Sequence, residues 1–195
     1  MVSGLQDTIR ADLKRLVRLQ NSDGGLGWSA SASSDLYLSS YGLLALDWAD
    51  TAGFLVSVNT HGNLMRFVQD HIPALEPVLE GWELDRLVFA NYVLDLNGAI
   101  QIEPQDIYPR RELLSPWAKA LLAQTLKSRD AAAADTLLSD LQGLAVRSAT
   151  GVNWQDVEGD AWHNFTTPNF NTAVVVYALS RQDPASPMLA DAVRY

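Results

Sequence analysis

Two kinds of apolar pattern alternate along this chain of 195 residues. In the first kind, apolar residues recur every three or four positions and leave the opposite side polar. This is typical of an amphipathic helix with one solvent-exposed face. In the second kind, apolar residues surround the helix, which indicates burial on most sides. One-sided helices are predicted at about 5–20, 59–72, 130–146 and 187–195. Helices that are apolar nearly all round are predicted at about 35–52, 82–96, 115–126 and 171–179.

The alternation of the two patterns predicts an all-α fold with two concentric layers. Inner helices contact neighbours on every side and outer helices keep a face in water, so the expected architecture is an α/α toroid, an α/α barrel of helical hairpins. The β-branched run 174–176 would favour a strand on its own, but the surrounding pattern favours a helix. The last predicted helix stops at Tyr195 without a stop signal. We therefore expect residues 1–195 to form a single all-helical domain, an incomplete ring that is a fragment of a larger multidomain protein.

Turn and capping residues separate the predicted helices. The run 21–25 reads NSDGG and ends the first helix with strong turn chemistry. Ser34 and Ser115 are predicted N-caps, and Pro116 suits the first turn of the helix that follows Ser115. Residues 103–111 are rich in proline and charge and are predicted to form a loop.

A degenerate repeat relates two parts of the chain. In each copy an outer helix is followed by a glycine-bearing turn, a tryptophan and a polar connector that leads into an inner helix. Trp28 marks the first copy and Trp154 marks the second. Such weak similarity is expected where repeats need only matching faces.

Composition and charge exclude several classes of partner and chemical site. The formal net charge of −9 argues against nucleic acid as a partner, because phosphates demand clustered Lys and Arg. The chain contains no cysteine, which excludes disulfides, thiol nucleophiles and cysteine zinc sites. No stretch approaches about 18 uninterrupted apolar residues, so no direct membrane insertion is expected, and the first residues carry no signal sequence. No cofactor is predicted.

Five stretches of the chain carry a recognisable pattern, namely residues 16–28, 34–44, 86–96, 108–122 and 172–187. Together they resemble bacterial alpha-2-macroglobulin-like proteins. The first contains a leucine–glutamine turn ending in Asp-Gly-Gly, and the second contains a Ser-x-Tyr-Gly helix. The most distinctive is RELLSPWAKA at 111–120. The resemblance covers nearly the whole chain and implies the thioester-containing, complement-like α/α-toroid domain of such a protein.

The resemblance implies an endopeptidase inhibitor that traps its target. In this family a protease cleaves a bait region, the protein rearranges around it, and a Cys–Gln thioester captures the protease by acyl transfer. The Cys-x-Glu-Gln motif of the family is absent from this chain, which has no cysteine. The resemblance therefore implies a thioester-domain segment that is not itself an enzyme. Its partners would be the other domains of the parent protein and, through them, target proteases, in the periplasm or outside the cell, with or without a membrane anchor on the parent.

Two alternatives remain open from the residues. Residues 20–28 also resemble the Gln–Trp repeat of triterpene cyclases, which share the toroid, but those enzymes need an Asp-x-Asp-Asp motif that this chain lacks. Protein prenyltransferases need an Asp/Cys/His zinc site, which the absence of cysteine excludes in its usual form. A terpenoid-type enzyme and an unrelated helical scaffold are the alternatives to the trap segment.

The candidate site residues lie at the start of an inner helix and in the two tryptophan-bearing turns. Trp82, Asp85 and Arg86 are predicted to line one mouth of the ring. Residues predicted near the same rim are Trp28, Tyr37, Trp154 and Asn171. The functional interpretation is a docking surface for a neighbouring domain, since such rims are concave and aromatic, and the alternative is packing and helix capping. No catalytic, cofactor-binding or metal-binding residue is predicted.

The three histidines offer no site of their own. His71 is predicted to be partly buried and hydrogen-bonded at a helix end, and His163 is predicted to be exposed in a polar connector. Neither forms a pair with His61 at the spacing of a metal site. Residues 164–166 match a glycosylation sequon, which we interpret as coincidence.

Overall fold

The predicted all-α fold is confirmed by the computed structural model, which describes residues 2–29, 31–156 and 161–195. The chain is 63% helical, with one small two-stranded sheet in the described residues. The α-helices are α1 Val2–Leu19, α2 Leu36–Thr51, α3 Val58–His71, α4 Gly81–Leu96, α5 Pro104–Ile107, α6 Pro116–Leu126, α7 Ala131–Gly143, α8 Pro168–Gln182 and α9 Pro187–Val193. A 3₁₀ helix spans Tyr108–Leu113, and the strands are β1 Val146–Ser148 and β2 Gly151–Asn153. No helix in this described part of the chain has the length and apolarity needed to cross a membrane.

Two predicted element assignments are wrong. The expected loop at 103–111 is helical, because Pro104 begins α5 at the position where proline costs no hydrogen bond, and the 3₁₀ helix follows directly. The helix expected to reach 146 ends at Gly143, and Val146 instead begins an antiparallel hairpin with Ser148 opposite Gly151. Gly151 has a φ of 147°, a conformation that favours glycine.

The residue contacts divide the chain into two compact units. Unit 1 comprises residues 1–73 and 93–101, and unit 2 comprises residues 74–92 and 102–195. The organisation of 1–195 as a single domain and the closure of the helices into a toroid stay predictions.

Unit 1 is built on the packing of α3 against α2. Its core is fully buried leucine and valine with one aromatic ring, and the members are Leu43, Leu46, Leu64, Phe67 and Val68. The N-cap of α2 is Asp35 and not the predicted Ser34. Asp35 Oδ1 accepts a hydrogen bond from the Leu38 N–H at 2.8 Å, whereas Ser34 Oγ donates to Asp23 Oδ1 at 2.7 Å.

The turn before α2 is held by polar side chains. Gln20 Nε2 donates to the Gly24 carbonyl at 2.8 Å and to the Thr60 carbonyl at 3.0 Å, which links the turn to α3. Asn21 Nδ2 donates to the Ala32 carbonyl at 3.0 Å. Gly24 has a φ of 92°, which explains why glycine stands there. The predicted turn is therefore confirmed, and its polar residues bond across the loop.

Unit 2 is built around α6, which packs against α7 and α8. Every residue of α6 from Pro116 to Ala123 is buried, and α4 is buried almost continuously from Leu84 to Leu94. These two helices confirm the predicted all-round burial, but α2 does not, because Ala45 and Trp48 are exposed. Helix α8 is helical through the β-branched run, as predicted, but it buries one stripe only, since Ala173 and Ser180 are exposed.

Candidate docking surface at the start of helix α4

The candidate surface lies in unit 2, where Trp82 and Arg86 stand on the first turns of α4. Residues four positions apart share one face of a helix. The Arg86 guanidinium carbon lies 5.1 Å from the centre of the Trp82 ring, which is cation–π geometry. The predicted pair is therefore brought together, and it forms one contiguous feature.

Arg86 also fastens a distant loop to this helix. Its Nε donates to Asn164 Oδ1 at 2.8 Å, and its Nη2 donates to the His163 carbonyl at 2.6 Å. Asn164 in turn donates from Nδ2 to the Trp82 carbonyl at 3.3 Å. Asn164 is buried, so the sequon asparagine is an internal bridge whose amide is already used on both sides.

One aromatic ring of this loop stacks on Trp82, and a second lies on the first. The His163 ring is parallel to the Trp82 ring at 4.5 Å and 4°, and the Trp162 ring lies 3.7 Å from His163 at a tilt of 33°. Trp82 Nε1 donates to Glu80 Oε2 at 2.7 Å, which satisfies its polar edge. His163 is half-buried in this stack, so its predicted exposure is wrong. Stacking on Trp82 partly shields the His163 ring from solvent. The polar sequence of the connector did not indicate this contact.

Asp85 and Asn171 cap helix α6 from outside. Asp85 is buried and its Oδ1 accepts the Ser115 N–H at 3.0 Å, and Asn171 Oδ1 accepts the Trp117 N–H at 3.3 Å. The first N–H groups of a helix have no partner within it and carry partial positive charge, which favours a carboxylate there. Ser115 is the N-cap residue as predicted, but its side chain makes no capping hydrogen bond. The capping comes from side chains 30 and 54 residues away in sequence.

The remaining predicted site residues are distributed over both units. Trp154 is fully buried in unit 2, and its Nε1 donates to the Leu141 carbonyl at 2.7 Å. Tyr37 is buried in unit 1, with its hydroxyl 3.2 Å from that of Tyr41. Trp28 is exposed. Within unit 2 the accessible part of the predicted site is thus the Trp82–Arg86 pair, whereas Asp85, Asn171 and Trp154 are buried. The role in docking stays a prediction.

The other two histidines make ordinary structural contacts. His61 Nε2 lies 2.7 Å from Asp47 Oδ1, which joins α3 to α2, and Asn97 Nδ2 donates to Asp47 Oδ2 at 2.8 Å. His71 Nδ1 contacts the Phe67 carbonyl at 2.8 Å at the end of α3, so its predicted hydrogen bond is confirmed. Its predicted partial burial is wrong, because the residue is exposed. No three His, Asp or Glu side chains in the described residues are grouped to hold a metal ion.

Sequence reasoning missed a buried lysine in the most distinctive stretch. Lys119 lies on α6 and is buried, with Nζ donating to the Arg111 carbonyl at 2.5 Å and 3.9 Å from Glu112 Oε2. Burial lowers the pKa of Lys119, and the nearby Glu112 carboxylate opposes that shift. Arg111 Nε lies 3.4 Å from Asp140 Oδ2 on α7. The RELLSPWAKA stretch therefore ties the 3₁₀ helix, α6 and α7 together through charged groups.

Sequence reasoning also missed the aromatic loop that faces solvent beside Trp82. Trp162 is 69% exposed and Phe165 is 68% exposed. Two large aromatic residues three positions apart in an otherwise polar connector are the signal that could have found it, because exposed apolar residues are informative when they are grouped and not when they are scattered singly.

Comparison with known proteins locates the fold. No family model matches the chain, and no curated protein matches it in sequence. The fold matches Salmonella alpha-2-macroglobulin reacted with methylamine, with a TM-score of 0.71 and 14% identity over 92% of this chain and 12% of that one. It matches native Escherichia coli alpha-2-macroglobulin, spanning domain MG7 to the C-terminus, with a TM-score of 0.69 and 15% identity over 94% of this chain and 31% of that one.

The same fold is present in an activated form of the second protein. Trypsin-activated Escherichia coli alpha-2-macroglobulin matches with a TM-score of 0.66 and 14% identity over 90% of this chain and 12% of that one. The chain thus spans 12% to 31% of the length of these structures. Its fold is that of a segment of bacterial alpha-2-macroglobulins.

Proposed function

We propose that this chain is a segment of the α/α-toroid thioester domain of a bacterial alpha-2-macroglobulin-like endopeptidase inhibitor, a protein that traps proteases. The observation that carries the proposal is the fold match over 92% of the chain at a TM-score of 0.71. Fold alone does not specify function. The proposal gains support because the motif resemblance at 16–28 and 111–120 points to the same proteins without reference to the fold.

The placement of the most distinctive motif supports this assignment. RELLSPWAKA begins in the 3₁₀ helix and enters α6, where Asp85 caps Ser115 and Lys119 is buried beside Glu112. A buried charge needs a specific partner in place. The motif residues therefore make specific contacts in this fold, which gives the resemblance a structural basis.

The proposed role is binding and support, without chemistry in this chain. A thioester needs a cysteine thiol, and the sequence has none. Among the matching proteins, Salmonella alpha-2-macroglobulin was reacted with methylamine, and Escherichia coli alpha-2-macroglobulin was activated by trypsin and by porcine elastase. In the proposed function, this segment contacts other domains of the parent protein. The parent protein traps proteases in the periplasm or outside the cell.

A trapping assay tests the function. The full polypeptide that contains this segment is incubated with trypsin, and the remaining activity is measured on a large protein substrate and on a small chromogenic peptide. A trap encloses the protease and leaves its active site free, so cleavage of the large substrate should fall while cleavage of the peptide persists. Loss of both activities would indicate an active-site inhibitor, and retention of both would indicate no inhibition. Either result overturns the proposal.

A second measurement tests the absence of covalent chemistry. The 195-residue chain is incubated with methylamine, and separately with trypsin, and its intact mass is measured. We expect no covalent adduct, because no thioester can form without cysteine. Salmonella alpha-2-macroglobulin, which reacts with methylamine, is the positive control. An adduct on this chain would contradict the assignment of a purely structural role.

A further inference from the structure

We propose that the aromatic loop of residues 161–166 is a docking site for a Lys- or Arg-bearing segment of another protein. The inference goes beyond the proposed function and does not depend on it, because it rests on the geometry of this loop. Trp162 and Phe165 expose 69% and 68% of their surface and lie three residues apart. Tryptophan and other aromatic residues dominate the binding energy of protein interfaces.

The loop is held rigid behind the exposed rings. Its centre is fixed by the two hydrogen bonds from Arg86 and by the stack of His163 on Trp82. Its ends are joined by the Thr166 N–H, which donates to the Ala161 carbonyl at 2.9 Å, and Thr166 Oγ1 donates to the Asp156 carboxylate. A surface that is ordered before binding loses less conformational entropy when a partner arrives.

The backbone at Phe165 is strained. Its φ is 53°, in the left-handed region. Glycine and asparagine tolerate this conformation, whereas a bulky side chain there is an outlier. A residue in such a conformation is kept only when the surroundings enforce it, and such residues cluster at functional sites. The phenyl ring is mostly exposed, so the strained backbone presents a large apolar group at the surface.

The charges around the rings select a cationic occupant. Glu80 places its carboxylate on the Trp82 indole edge, and Glu83 Oε2 accepts the Glu80 N–H at 2.9 Å. Arg86 remains positively charged because its two partners on the loop are neutral, so the two carboxylates of Glu80 and Glu83 outnumber it by one charge. A cation is attracted to aromatic faces, and neighbouring carboxylates strengthen that attraction. A Lys or Arg side chain suits both features, since its methylene stem packs on aromatic rings while its charge is attracted to carboxylates.

The test uses the whole chain and a defined probe. A fluorescein-labelled tetra-arginine peptide is titrated with the protein at low ionic strength, and binding is followed by fluorescence anisotropy, with a tetra-glutamate peptide for comparison. We expect Trp162→Ala and Phe165→Asn each to weaken tetra-arginine binding by about tenfold, the range of a partly desolvated cation–π contact. Trp28→Ala removes an exposed tryptophan from unit 1 and is the matched control, which should leave binding unchanged.

The stability of Phe165→Asn separates docking from packing. Asparagine tolerates the left-handed conformation, so the melting temperature should stay the same or rise while peptide binding falls. A clear drop in melting temperature would mean that Phe165 is a packing residue, and the proposal would be wrong. Unchanged binding in both loop variants would also overturn the proposal, because the peptide would then recognise only the acidic surface. An equal loss in Trp28→Ala would overturn it as well, because the effect would not be specific to the loop.

Discussion

Trp28 and Trp154 follow glycine-bearing turns at matching places in the sequence repeat, yet Trp28 is 56% exposed and Trp154 is fully buried. The two turns also differ in form. The first is a polar loop that closes through side chains such as Gln20, and the second is the hairpin of β1 and β2. Position in the repeat therefore does not decide which aromatic residue enters the core.

A hydrogen bond identifies the residues that truly correspond. The Leu26 N–H donates to Ser39 Oγ at 2.9 Å near the start of α2, and the Trp154 N–H donates to Thr172 Oγ1 at 3.2 Å near the start of α8. In both turns a buried apolar residue is thus anchored to a hydroxyl of the helix that follows. By this shared hydrogen bond, Leu26 and not Trp28 corresponds to Trp154.

The largest expected effect is at Trp154. Trp154→Ala should lower the free energy of unfolding by about 3–5 kcal/mol, because it leaves a large cavity and removes the donor to the Leu141 carbonyl. Urea unfolding followed by far-UV circular dichroism measures the loss. A cost within about 0.5 kcal/mol, the range of ordinary surface changes, would contradict the burial of this ring.

The second effect tests the equivalence of Leu26 and Trp154. Leu26→Ala should cost about 2–5 kcal/mol as a buried leucine truncation, whereas Trp28→Ala should stay within about 0.5 kcal/mol. The same unfolding measurement serves both variants. If Trp28→Ala proved the more destabilising of the two, the sequence repeat would have placed the correspondence correctly and the hydrogen bond would mislead.

Helix positions were predictable because their signal is repeated over many residues. The stripes of α1 and α3 and the all-round pattern of α4 and α6 each extend over three or more turns, so one exception does not hide them. The hairpin was missed because each strand has three residues, too few for a period of two to be visible. Val146 also continues the apolar stripe of α7, which extended the predicted helix past Gly143.

The candidate site was predictable only in part. Trp82 and Arg86 could be paired from their spacing on one helix. The partners of Arg86 and Asp85, which are Asn164 and Ser115, lie 78 and 30 residues away, and no local pattern encodes such contacts. The alternation of one-sided and all-round helices predicted the all-α fold, but the aromatic loop had to be found from its exposure and its backbone.

A third prediction concerns how tightly the first turn packs. A Cβ added at Gly25 would lie 2.5 Å from Ser34 Cβ and 2.8 Å from Phe67 Cε2. Gly25→Ala should therefore destabilise the protein by about 1–3 kcal/mol through overpacking. Gly62 lies in α3 with open space around it, so Gly62→Ala is the matched control and should stabilise by about 0.5–1 kcal/mol. Equal effects of the two substitutions would contradict tight packing, because Ser34 and Phe67 would then move to accommodate the added Cβ at little cost.

The smallest expected effect is a difference in how the stability of the polar turn before α2 and that of the β1–β2 hairpin depend on pH. Donation from the Ser34 hydroxyl, with help from the Gly25 N–H, holds the pKa of Asp23 below its ordinary value of 3.8. The unfolded chain then binds the proton more readily, so this contribution to stability is present above about pH 4 and is lost as the pH falls through the folded-state pKa. Ser34→Ala should lower stability at pH 7 by a modest amount, because Asp23 is exposed and water competes for it.

The difference between Ser34→Ala and the parent chain should shrink as the pH is lowered below about 4. In the second turn the Ser148 hydroxyl bonds to Thr150 Oγ1 at 2.9 Å, and neither partner is a carboxylate. Ser148→Ala should therefore have the same effect at both ends of the range. Urea unfolding at pH 7 and pH 3 compares the two variants, and an NMR titration of the Asp23 carboxyl carbon follows the pKa directly. A pH-independent effect of Ser34→Ala would mean that the Asp23 bond does not distinguish the polar turn from the hairpin.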